Sequence, residues 1–463
     1  MSSLVLGIDS STQSTKIEVR DADSGRLIGS GWAPHPATSP PCSEQDPETW
    51  RVALVTARAE VGHVKGFAGM SVAAQQHGLI VLDEAGDLIR PAKLWNDTES
   101  APDAGWLLGQ LDGGAPEWAA ACGSVPVAAF TITKLSWLHR TDPEAFARIA
   151  TVLLPHDWLA LRLTGELGTD RGDASGTGYW SAATGEYRID LLELVDREID
   201  WAAALPPVLA PEAANGTGDN MAAALGLGLQ PGDVAISLGT SGTVFSVSDA
   251  PTADPSGAVC GFADATGRYL PLVCTLNATK VTDATAHLLG VDLPELDDMA
   301  LAVDAGSGGI VFLPYLDGER TPNRPQATGA ITGIRSDVAR EQVARSAFEG
   351  VVCGLLDGLD ALTRTGVVTD GRVFLVGGGA RSEAYRQILA DLVQRPVIVS
   401  AEDELVALGA CVQAAARVSG VPIADVQDAW ALGMGTTIDP DLDPDRAAEI
   451  RAAYASVRDS GSL

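Results

Sequence analysis

Asp9 opens a run of hydroxyl and amide side chains, "DSSTQST", set between two short apolar stretches and followed by Lys16. Two kinds of structure use such a run. One is a solvated turn joining two strands. The other is a cradle in which small residues let backbone N–H groups point into a concavity while hydroxyls add donors, which is what a polyphosphate needs. A second run, "LGTSGTV" around Thr240, has the same make-up. Asp219 in "GTGDNMAAALG" precedes a helix-forming stretch, so it can serve as a helix cap or as an acid or base. His77 in "AAQQHGLIV" reads by default as a satisfied structural histidine, although its polar company is unusual for a core. The glycines of "VGGGARSEAYRQ" imply close backbone approach to something flat or anionic. They match a dinucleotide fingerprint poorly, because Ser382 stands where the third glycine belongs, and no G-x-x-x-x-G-K-[ST] occurs.

The elements that must position these residues follow from the pattern around them. "LVLGID", "TKIEVRDA" and "GRLIGSGWAP" alternate as three strands of a meander. "DPETWRVALVTARAEV" predicts a helix with Asp46 as cap and Pro47 in first place. The stretch from about Asp103 to Leu205 is mostly helical in pattern. A Gly/Pro cluster, "GLGLQPGD", precedes the strand "VAISL", which puts a domain boundary near Leu229 and divides the chain into 1–229 and 230–463. "ISLGTSGTVFSVSD" then repeats the grammar of the opening: strand, Gly/Ser/Thr turn, strand. Self-similarity at half-length suggests two copies of one fold. Beyond it come a long amphipathic helix at "REQVARSAFEGVVCGLLDGLDALTRTG", a strand–turn–helix–strand unit around the triple glycine, and a small-residue helix at "DELVALGACVQAAARV".

Composition narrows the classes. Of 463 residues, 46% are hydrophobic and 20% charged, which describes a well-buried globular chain of two or three domains. A formal charge of -30 excludes a nucleic-acid groove, which needs clustered Lys and Arg. The cysteines show no C-x-x-C pair and the histidines no i,i+4 pair, so no zinc site is expected. The apolar runs fall short of a membrane span, and "MSSLVLGIDSS" lacks the basic start of a signal peptide, so a cytoplasmic protein is expected, with no membrane partner.

Taken in order along nearly the whole chain, "GIDSSTQSTK", "SEQDPETW", "QQHG", "LWND", "TITKLSWL", "DASGT", "GTGDN", "SLGTSG", "LPYLDGERTP" and "GGGARS" resemble the FGGY carbohydrate kinases. Gly329 to Glu349 is similar to that family's C-terminal signature. The resemblance implies an α/β chain of two ribonuclease-H-like domains, as in actin and hexokinase, with the active site in the interdomain cleft. It further implies ATP and Mg²⁺ as partners of a small sugar substrate, and it is compatible with a homodimer. On that likeness Asp9 helps hold magnesium, and Ser11, Thr12, Gln13, Ser14 and Lys16 form the first phosphate loop. Gly239, Thr240 and Gly242 form the second, while Gly378, Gly379 and Ala380 receive adenosine. Asp219 is then the catalytic base, with Asn220 beside it on the sugar together with Gln76, His77, Trp95 and Asn96. The Gln-x-His-Gly pattern of Gln75 to Gly78 is similar to the members that phosphorylate D-xylulose at its terminal hydroxyl, whereas glycerol kinases carry an Arg-Glu pair there. The alternatives are another ketose, a polyol, a sugar acid, or a sugar-binding relative without catalysis. Departures from the family pattern are Ser11 for Gly, Glu99 for Arg, Ala129 and Thr141.

Overall fold

The computed structural model describes residues 3–460, which form two compact units. Among the described residues, the first comprises those up to 229 with two later segments, 249–270 and 404–433; the second comprises 230–248, 271–403 and those from 434 on.

In the first unit the meander forms as the strand-and-turn succession predicts: β1 (Leu4–Ser10), β2 (Ser14–Asp21) and β3 (Leu27–Pro34) pair antiparallel. β4 (Gly69–Ala74) then pairs parallel with β1, and β5 (Gly216–Gly218) parallel with β4. The sheet order is β5-β4-β1-β2-β3. Its two faces differ because side chains alternate along each strand. Ile8, Ile17 and Val72 point into a core with Trp50 and Trp158, whose rings meet edge-on at 6.2 Å. Trp50 is fully buried, and truncating it to alanine costs about 3–5 kcal/mol. The helix carrying it spans Glu48–Glu60, so Asp46 and Pro47 lie just before it; Asp46 Oδ1 still accepts the Glu48 N–H at 2.9 Å.

The opposite face carries Gly7, Asp9 and Ala73 against the helix Leu405–Ser419. This helix is rich in small residues for a visible reason. A Cβ on Gly409 would lie 1.8 Å from the Ala222 carbonyl oxygen, and one on Gly226 would lie 2.2 Å from that of Leu405. Helices Asp219–Gly226 and Leu405–Ser419 therefore touch backbone to backbone.

The second unit repeats the topology. The strands of its main sheet include β6 (Val234–Leu238), β7 (Gly242–Ser246), β8 (Tyr269–Thr275), β9 (Val373–Val376), β10 (Val397–Ser400) and β11 (Gly435–Ile438). They run in the order β8-β7-β6-β9-β10-β11, with β6 to β8 antiparallel and β9 and β10 parallel to β6. Each unit thus contains a sheet of order 3-2-1-4-5, with a hydroxyl-rich turn between its first two strands. The long helix Arg340–Arg364 backs this sheet, with Gly358 close to Val244 and Val273. No single helix among the described residues is long and apolar enough to cross a membrane.

Candidate active site

Three parallel strands of the first unit end level with one another: Ser10 of β1 pairs with Ala74 of β4, which pairs with Gly218 of β5. Asp9, Gln75 and Asp219 therefore gather at one sheet edge, the place where open α/β sheets bind ligands. Asp9 is buried (4% exposed) and accepts the Ser11 hydroxyl at 2.6 Å. Loss of hydration pushes its carboxyl up to about 6, against the opposing pull of Ser11 and Lys16. Ser11 spends its hydroxyl on this carboxylate.

Asp219 is not the N-cap that the sequence allowed. Gly218 holds that position, because β5 runs to Gly218 and Asp219 already has its place in the first turn. Its Oδ1 accepts from the Asn220 backbone N–H at 2.8 Å and from Asn220 Nδ2 at 2.9 Å. Oδ2 has no donor among the described residues. Loss of hydration first, and the negative Asp9 second, push the Asp219 carboxyl up to about 7. A carboxylate that is partly accessible, held by one oxygen and close to neutral pH in its titration suits proton transfer.

The sugar-side candidates surround this pair. Gln76 Oε1 accepts from Asn220 Nδ2 at 2.9 Å, and its own Nε2 is buried with no partner among the described residues. His77 holds a left-handed backbone (φ 67), a conformation costing about 1–3 kcal/mol for a residue with a Cβ. Its Nδ1 lies 2.8 Å from the Gly176 carbonyl, and its ring packs against Phe130 and Phe262. Trp95 and Asn96 do not lie on a strand. The strand ends at Lys93, and the two residues occupy the turn after it. Asn96 Oδ1 is buried and unpartnered among the described residues.

What the sequence did not reveal is the pin beneath that turn. Lys93 is 1% exposed, with its Nζ 2.8 Å from Asp97, 2.6 Å from Glu99 and 3.1 Å from Glu44, over the Trp137 ring. Burial opposes its charge, but the surrounding carboxylates outweigh it and raise its pKa. Glu99, the unusual residue after "LWNDT", folds onto this ammonium. A lysine two residues before Trp95, in a chain with few lysines, was the available signal.

Of the residues expected to form the first phosphate loop, Ser11 to Gln13 form the turn while Ser14 and Lys16 lie on β2, with Lys16 opposite Asp9 and its Nζ 2.6 Å from Glu404. In the second unit, Gly239 and Thr240 form the turn between β6 and β7, and their carbonyls accept from Thr279 and Ala278. Gly239, Thr240, Gly378, Gly379, Ser382 and Tyr385 line one cavity of about 750 Å³. Gly242 is the first residue of β7, and Ala380 is buried; neither is among the lining residues. Gly377 permits the close approach: it has φ 87, and a Cβ there would lie 2.6 Å from the Leu238 carbonyl oxygen.

Comparison with known proteins agrees over the whole length. The N-terminal domain of the FGGY family of carbohydrate kinases matches residues 4–247, and the C-terminal domain matches residues 234–418. A xylulose kinase of Streptomyces coelicolor is 45% identical over 94% of this chain and 92% of its own length. One of Escherichia coli is 36% identical over 84% of each. The crystal structure of a xylulose kinase from Bifidobacterium adolescentis superposes with a TM-score of 0.87 at 40% identity, covering 99% of both chains. A glycerol kinase of Plasmodium falciparum, 19% identical, shares the fold with a TM-score of 0.88. With two sheets of one topology, paired phosphate-type turns and family matches spanning both halves, the chain belongs to the FGGY family of carbohydrate kinases.

Proposed function

We propose that this kinase transfers the γ-phosphoryl group of ATP to the terminal hydroxyl of D-xylulose, giving D-xylulose 5-phosphate in the cytoplasm. In this reading residues 1–229 supply the sugar contacts and the first phosphate loop, and residues 230–463 supply the nucleotide cavity and the second. The observation that carries it is Asp219, beside Asp9 at the ends of β1, β4 and β5, with Oδ2 uncommitted and its carboxyl at about 7. Asp219 takes the proton from the sugar hydroxyl as that oxygen attacks phosphorus. Asn220 fixes the base through Oδ1, and Gln76, His77, Trp95 and Asn96 hold the remaining hydroxyls. Phosphoryl transfer asks for alignment and charge neutralisation more than covalent help.

The residues fit a magnesium ion. Asp9 is a hard oxygen donor, and two neighbouring acids whose carboxyls are both raised call for a cation between protein and phosphate. When bound, the ion would neutralise phosphate charge. The carboxylates of Glu44, Asp97 and Glu99 offer no comparable site, since Lys93 already takes them.

The test is ADP release against D-xylulose, D-ribulose, L-ribulose, glycerol and gluconate. D-xylulose is expected to give the highest kcat/KM, because a pocket built to hydrogen-bond several hydroxyls rejects analogues by factors up to ~10⁴. A higher value for glycerol or gluconate would refute the substrate assignment.

A further inference from the structure

Four ionisable side chains pack beside β5 and take no part in the chemistry above. His156 and Asp157 lie in the first turn of the helix Pro155–Thr164, Asp170 caps the short helix Arg171–Ala174, and Asp173 lies within it. None is more than 2% exposed. His156 Nδ1 lies 2.6 Å from Asp173 Oδ2, while Nε2 lies 3.1 Å from Asp157 Oδ1 and 3.9 Å from Asp170 Oδ1. The other orientation of the ring would turn carbon toward both near carboxylates, so the nitrogens belong where they stand. The second ring proton could sit on Nε2 or on Asp157. Imidazole is ordinarily the stronger base, about 6.5 against about 3.9, and Asp170 adds a further negative charge, so the proton stays on the ring. Burial opposes that charge, but Asp157, Asp173 and Asp170 outweigh it and raise the ring's pKa to about 10.

What this cluster touches gives it a purpose. Asp219 follows β5, an edge strand of only three residues that needs support from outside the sheet. Thr217 Oγ1 donates to Asp170 Oδ2 at 2.6 Å, and a Cβ on Gly216 would lie 2.7 Å from His156 Cδ2, so the ring packs on the strand's backbone. Asp170 also accepts the Gly172 and Asp173 N–H groups at 2.9 Å, which ties the short helix to the strand. That helix meets the site twice. A Cβ on Gly172 would lie 2.7 Å from Met221 Cγ, two residues after Asp219. The Gly176 carbonyl, just past the helix, lies 2.8 Å from His77 Nδ1. One buried cation stands behind both the strand that leads to Asp219 and the turn that seats His77. Without it, three carboxylates would face one another with no counter-charge.

We propose that His156 is a positioning residue for phosphoryl transfer: as an imidazolium it gathers Asp157, Asp170 and Asp173 into one mount, which holds Asp219 through Thr217 and His77 through Gly176. The proposal rests on the sugar-kinase reading above and deepens it, by naming what fixes the proposed base.

The experiment has a spectroscopic arm and a kinetic arm, both on the full chain. In ¹⁵N-histidine spectra at pH 8, one of the six histidines should carry protons on both ring nitrogens, and that signal should vanish in His156→Gln. A neutral His156 ring at pH 8 overturns the proposal, and this reading needs no substrate. In the kinetic arm, His156→Gln keeps a donor but loses the charge, and Thr217→Val removes only the hydroxyl link to Asp170. For each, kcat/KM for the sugar should fall roughly 10–100-fold per folded molecule, with KM for ATP within about twofold of wild type. Melting temperatures on the same preparations separate this loss from unfolding, and Thr217→Val carries the arm if His156→Gln does not fold. The His156→Gln/Asp173→Asn double variant, which removes one charge of each sign, should lose less than the two single losses combined. Strictly additive losses overturn the proposal, as does wild-type kcat/KM in the folded fraction of both single variants. Should wild type turn over another sugar in place of xylulose, the substrate assignment fails, and the same kinetics with that sugar test His156 separately.

Discussion

In the proposed mechanism the Asp219 carboxylate has two roles at once. Oδ1 serves the helix through Asn220, and Oδ2 is left for a proton. Asp219→Asn retains the first role and removes the second, so turnover should fall roughly 10²–10⁴-fold while xylulose still binds. In wild type, kcat/KM should climb with pH through about 7 as the base ionises, and the variant's residual rate should lose that limb. Stability follows the opposite course. The folded chain holds the Asp219 proton more tightly than the unfolded chain, so the stability it lends is present at low pH. That contribution is lost as pH rises between about 3.8 and about 7. Asp219→Asn never ionises, so it should melt above wild type at pH 8, with the gap closing toward pH 5. A variant that melts lower at pH 8 would contradict the raised carboxyl. Residue types alone marked Asp9 and Asp219 as candidates, yet gave no hint of the contacts that join Trp95, Thr12 and Gln75. Those contacts join residues 83 and 63 positions apart through side-chain directions that no local pattern encodes.

At the scale of elements, what was legible was what is periodic. Turn chemistry between short strand-like runs announced β1 to β3, and the 3.6-residue period announced Arg340–Arg364. The small residues of Leu405–Ser419 announced a helix suited to close packing but not its partner, Asp219–Gly226, which lies nearly two hundred residues earlier. That contact positions the helix that begins with the proposed base, and it leaves no room for a methyl group at Gly409. Gly409→Ala should therefore cost about 1–3 kcal/mol through overpacking. Because the displaced helix begins with Asp219, kcat should drop by more than KM changes. Denaturant titration and steady-state kinetics on one preparation would check both; a variant of wild-type stability would mean that the two helices pack less closely than described.

For the molecule as a whole, the first unit is not the first half of the chain. It is completed by 249–270 and 404–433, and the helix Leu405–Ser419 covers one face of the sheet whose other face is closed by Trp50 and Trp158. A fragment ending at Leu229 should then be insoluble or loosely packed, with hydrogen exchange fast in β1 and β4, although it contains every sugar-side residue. Co-expressing 230–463 should rescue it. The same feature sets a schedule for synthesis. Translation proceeds at roughly 5–20 residues per second, so the nascent β1–β4 platform waits on the order of ten seconds or more for the segment that seals it. During that wait the ribosome-borne chain carries this sheet face uncovered, with Glu18 and Arg20 not yet buried, and chaperones that bind unfinished chains have their window of action there. Gene fusions or permutations that bring 404–433 next to 1–229 would shorten it.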